Sequence, residues 1–139
     1  MSDRNLKLPL FLTRLSVFGF LIPWQVMRFT GPEVIETIGK THYKLPVSST
    51  VSTITGVLMI VLLIAFLVGF KKKVSYGLVF LVHALGTLMT LPSILAGAKA
   101  LMTGAPSGGY LFLAAVPAAF AMLLLYCLRD EDTMFSLNK

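Results

Sequence analysis

Four long apolar runs crowd into a chain of 139 residues, at roughly 8–28, 47–70, 74–95 and 110–128. A bilayer hydrocarbon core is about 30 Å thick, and a helix needs about 20 mostly apolar residues to cross it. Each run comes close to that length, and little chain is left between them. Hydrophobic residues make up 56% of the sequence and charged residues 13%, against about 25% charged in soluble domains. Too little polar surface is present to wrap a water-soluble core. The pattern predicts an all-α transmembrane four-helix bundle, built as one integral membrane domain over residues 1–139. Any chemistry must then come from polar side chains inside the spans.

The net charge of +6 follows the ends of the runs. Lysine and arginine are favoured there by phospholipid headgroups, so the bilayer, not nucleic acid, is the partner the charge implies. Four spans put both termini on one side. Arg4, Lys7, Lys71, Lys72, Lys73, Arg129 and Lys139 fall on that side, and Arg28, Lys40, Lys44 and Lys99 on the other. Positive residues concentrate in the cytoplasm, which predicts an N-in, C-in topology. The very short connection at Lys71–Lys73 makes spans two and three antiparallel neighbours. Arg14 interrupts the first run and no small-residue cleavage site follows, so that run reads as a retained helix and not a secretory leader.

Between spans one and two, Thr30-x-x-Glu33 fits a capping box and Pro32 suits a first helical turn. Val34, Ile35 and Ile38 form one apolar face and Gly39 supplies a stop, which predicts a short interfacial helix. The stretch 96–109, with Gly104, Pro106, Gly108 and Gly109, reads as a flexible loop. After the fourth run, Met134, Phe135 and Leu137 put an apolar trio on a charged tail that could dock on the membrane surface or on a partner.

A charged side chain at the centre of a lone spanning helix costs roughly 2.5–3.5 kcal/mol on insertion scales, so such residues snorkel, pair or face a bundle interior. Arg14 has a stem long enough to snorkel. Yet Gln25 lies about 20° from it around a 3.6-residue helix, and Arg28 about 40° to the other side. These three share one face of span one, with Pro23 between them predicting a kink. In span three, Tyr76, His83, Thr87 and Thr90 also share a face. In span two, Ser48, Ser52 and Gly56 form a ladder of small residues that lets a neighbouring helix approach. Three polar faces on three helices predict a common polar pocket lined by Arg14, Gln25, Arg28, His83 and Thr87. Trp24 sits where an aromatic belt is expected. Cys127 has no second cysteine to pair with, and His83 no second histidine within a span, so neither a disulfide nor a metal site is expected. No acidic residue lies inside any run, which weighs against a carboxylate-driven transporter.

The order of these features resembles the DoxX-like family of small bacterial membrane proteins. The residues that carry the resemblance are Leu-Thr-Arg-Leu around Arg14, Ile-Pro-Trp-Gln-Val-Met-Arg-Phe ending at Phe29, Gly31-Pro-Glu33, Tyr76-Gly, His83-Ala, and Leu-Arg-Asp-Glu-Asp-Thr at 128–133. Arg28 stands where family members often carry a lysine, and the glutamate that many carry in helix two is missing. The resemblance implies a bacterial inner-membrane protein acting as an accessory or quinone-associated subunit of a membrane redox complex alongside other membrane subunits, and the missing glutamate argues against a catalytic role of its own. His83 would bond a quinone carbonyl and Arg28 an anionic head. Two other readings are a non-catalytic scaffold of a membrane assembly and a small-solute permease.

Overall fold

The fold is a computed structural model that describes residues 5–138; Arg4 and Lys139, two of the cations counted for topology, lie outside the described residues. It is all-helical, with no strand among the described residues. The helices are α1 (Lys7–Thr30), α2 (Pro32–Ile38), α3 (Ser49–Leu67), α4 (Lys72–Met89), α5 (Leu91–Thr103) and α6 (Ala115–Cys127). A π-turn at Gly39–Tyr43 extends α2, and a 3-10 turn at Gly108–Phe112 leads into α6. Three stretches are long and apolar enough to cross a membrane: Lys7–Thr30, Ser49–Leu67 and Gly108–Cys127. Among the described residues the pair α4 and α5 makes a fourth only if the two are counted as one span, since they are bent by 65° at a break between them.

Apolar residues of α1 recur at the helical period, so Leu10, Val17 and Leu21 turn one stripe inward. That stripe meets Leu63 and Phe66 of α3, Tyr76 and Val79 of α4, and Met122 and Leu125 of α6 in the main core. α1 packs chiefly on α3, and α4 on α6. The outward faces are as apolar as the core: Leu58, Val61, Leu88 and Phe120 are all exposed, as suits helices whose solvent is lipid. The small ladder on α3 works at this interface. Ser52 and Gly56 are buried against α1, and a Cβ on Gly56 would stand 3.0 Å from Arg28 Cδ and from Phe29 Cζ. Ser48 instead caps α3, its hydroxyl accepting from the Val51 N–H at 3.3 Å.

Several connections differ from their sequence reading. The capping box does not form: Thr30 is still in α1, where its hydroxyl donates to the Val26 carbonyl, and Gly31 caps α2. Gly39 does not stop that helix. Its φ of −57° is helical, and the chain continues to Lys44, whose φ of 56° ends the turn while the Leu45 N–H closes onto the Gly39 carbonyl at 3.1 Å. The third apolar run ends at Met89, and Pro92 in the first turn of α5 begins a new helix. The stretch read as a flexible loop is therefore mostly helix. Its Gly97 faces Gly109 so closely that a Cβ there would stand 2.6 Å from the Gly109 carbonyl carbon.

Candidate functional site

The inward stripe of α1 carries Arg14 and Gln25 as well as apolar residues, and both are buried. The structure does not bring all the polar candidates together. It divides them between two places.

At the far end from the helix-capping π-turn, Arg14 is completely buried. Its Nη1 donates to the Tyr76 hydroxyl at 3.0 Å and lies 3.4 Å from Asp132 Oδ2. Its Nη2 donates to the carbonyls of Met134 at 2.5 Å and Phe135 at 3.3 Å. The Tyr76 hydroxyl in turn donates to Asp132 Oδ2 at 2.7 Å, and Lys72 Nζ to the Asp132 carbonyl at 3.0 Å. So Arg14 does not line the pocket with Gln25, Arg28, His83 and Thr87, because a buried guanidinium demands a counter-charge and the tail supplies one. The tail docks on its own bundle: the Leu137 N–H reaches the Val68 carbonyl at 2.9 Å, and the Phe135 ring lies 5.0 Å from that of Phe11. Asp132 is outside every apolar run, yet it ends up as buried as the core.

At the other end, a half-open cavity of about 290 Å³ is lined by Gln25, Arg28, Tyr43, His83, Thr87 and Thr90, with Trp24, Ile38, Val82 and Phe112 among its apolar walls. Ligand pockets start at about 300 Å³, so the space suits a single ring or a short head with its chain leaving through the opening. Arg28 Nε donates to Gln25 Oε1 at 3.0 Å, and Nη1 to Ser52 Oγ at 3.2 Å. These two bonds fix the guanidinium plane and leave Nη2 without a protein partner among the described residues. No carboxylate among the described residues pairs with Arg28 either; the ion pairs among them are Arg14–Asp132, Lys40–Glu36 and Arg129–Asp130.

His83 Nε2 lies 2.9 Å from the Ala115 carbonyl oxygen. A carbonyl only accepts, so Nε2 carries the hydrogen, and in the neutral ring Nδ1 is a bare acceptor. Phe20 holds the ring edge-on, centroids 5.9 Å apart. Thr87 and Thr90 donate their hydroxyl protons to the carbonyls of His83 and Gly86, at 2.8 and 2.9 Å, and can therefore only accept from a guest. Tyr43 comes from the π-turn and stands over Gly86. Burial pushes its hydroxyl above the ordinary tyrosine range, and the nearby Arg28 charge works against that rise. The turn is pinned from behind, with the His42 ring 4.6 Å from Phe112 and its Nδ1 2.8 Å from Ser93 Oγ.

The cavity thus offers donors at Arg28 and Tyr43, acceptors at His83 and the threonines, and an apolar body. Tyr43 and Trp24 were not among the residues the sequence singled out for the pocket. Tyr43 does carry a signal, since Ile35, Ile38 and His42–Tyr43 continue a helical spacing straight through Gly39. No group of three histidine, cysteine, aspartate or glutamate side chains could hold a metal among the described residues. No protein-family model, curated protein or solved structure matches the chain.

Proposed function

We propose that the chain is a DoxX-like four-helix protein of the bacterial inner membrane, both termini cytoplasmic, that serves as an accessory, quinone-associated subunit of a membrane redox complex. The observation that carries this reading is a guanidinium with unused N–H groups and no counter-ion, at the head of an apolar cavity between helices apolar enough to cross a membrane. A quinone, which carries electrons as a ring bearing two oxygens, matches that layout. Arg28 and Tyr43 donate to one ring oxygen. His83 does not donate to the other, since its one hydrogen is held by Ala115. It accepts instead, from the hydroxyl of the reduced ring, so its role differs from the carbonyl bond the sequence suggested.

The test is photolabelling of the purified protein with an azido-naphthoquinone, with peptide mapping of the adduct. Adducts on α1, α4 and the π-turn, competed by unlabelled quinone, support the reading. Adducts confined to the lipid-facing residues of α3 and α6, or not competed, overturn it and leave the scaffold reading.

A further inference from the structure

A neutral guest leaves one feature of the cavity without a reason. Arg28 brings a full positive charge into a largely apolar space and finds only the neutral oxygens of Gln25 and Ser52. The other inward-facing arginine of the same helix has a carboxylate at 3.4 Å. Half-burying a cation beside neutral partners alone is unfavourable, and a guest that carries the missing negative charge removes the penalty. The remaining groups agree. Nη2 presents N–H groups in a plane fixed by Gln25, which favours a charge-assisted bond to an anionic oxygen. Tyr43 adds a second donor, and no carboxylate lines the cavity to repel an anion.

We propose that the cavity selects an anionic oxygen head carried on a flat apolar ring, the deprotonated hydroxyl form of a quinone-class ligand, over the neutral ring of the same shape. This rests on the quinone reading above and specifies its charge. Trp24, the single tryptophan of the chain, lines the cavity and supplies the readout. The intact protein in a neutral detergent is titrated with 2-hydroxy-1,4-naphthoquinone, which is ionised at neutral pH, and with its neutral 2-methoxy analogue, following Trp24 quenching. A third titration uses a brominated fatty acid, an anion without a ring.

The expected result is that the hydroxy compound binds roughly tenfold or more tightly than the methoxy compound, the size of one charge-assisted bond. That preference disappears in Arg28→Gln and is retained in part in Arg28→Lys, with far-ultraviolet circular dichroism showing both variants folded. Equal binding of the two naphthoquinones overturns the charge preference and leaves the quinone reading standing. Quenching by the fatty acid alone overturns both, and identifies the occupant as a carboxylate-headed lipid. Should Arg28→Gln fail to fold, lowering the pH until the hydroxy compound is neutral must abolish the preference in the unaltered protein.

Discussion

Arg14 and Arg28 lie on the same helix about 21 Å apart along its axis at 1.5 Å per residue, and the protein treats them in opposite ways. Arg14 is sealed and matched by Asp132, Tyr76 and two tail carbonyls. Arg28 is half-buried, steadied by neutral partners and left open on one edge. The difference shows how one residue type serves structure or binding according to what closes over it. The tail makes Arg14 a clasp. Nothing equivalent reaches Arg28, because Glu33 and Glu36 on α2 are exposed, and Glu36 is joined to Lys40 at 2.6 Å. Variants at the two ends should therefore separate stability from binding.

The largest effect belongs to Asp132→Ala. It leaves Arg14 buried and uncompensated, a loss of about 3–5 kcal/mol for one partner of a buried pair. The measurement is thermal denaturation in detergent together with membrane abundance. The double variant Arg14→Met, Asp132→Leu should be much less damaging than Asp132→Ala, since no lone charge remains. An unchanged melting temperature for Asp132→Ala would show that the tail does not clasp Arg14 in the membrane. Next is Gly69→Ala. Gly69 has φ of 65°, and a Cβ there would stand 2.9 Å from Arg14 Nη1 and closer still to Ser136 Oγ. Left-handed backbone costs an alanine roughly 1–2 kcal/mol, so the tail should lift and become cleavable by protease. Tyr76→Phe removes one hydrogen bond to Asp132 and one from Arg14, a loss of about 1–3 kcal/mol for a buried polar group left unmatched.

At the other end the same kinds of change should barely move stability. Arg28→Gln removes a cation with no counter-ion among the described residues, so the melting temperature should shift by less than for any clasp variant, while the preference of Trp24 quenching for the ionised naphthoquinone over the neutral one is lost. A melting-temperature loss equal to that of Asp132→Ala would erase the contrast between the two arginines.

The sequence made the helices and the inward register of α1 and α4 readable, because a period of 3.6 places Arg14 and Gln25 on one face whatever surrounds them. It could not say that this face serves two sites. That division depends on Asp132, five residues beyond the end of α6 at Cys127, folding back beneath the bundle, and no local pattern encodes a return of that kind. The absence of acids from the apolar runs was a true property of the runs and a poor guide to the interior. The small residues of α3 were legible as a packing ladder, yet Ser52 also holds Arg28. The bend after Met89 was carried by Pro92, which an averaged apolar run conceals.

The smallest prediction concerns Tyr43, which shares the cavity with the uncompensated guanidinium. Burial raises its pKa above the usual value of about 10, and Arg28 holds the rise in check. A hydroxyl whose folded pKa is raised favours the protonated, folded state. Its stabilising contribution is complete below the unfolded value and is lost as pH climbs through the folded one. The phenolate absorbance of Tyr43, taken as the difference between the protein and Tyr43→Phe, should therefore appear at higher pH than for an exposed tyrosine. In Arg28→Gln it should appear higher still, since the only charge favouring the phenolate is gone. If Arg28→Gln leaves the titration unmoved, the guanidinium is not aimed into the cavity, and the contrast with Arg14 loses its basis.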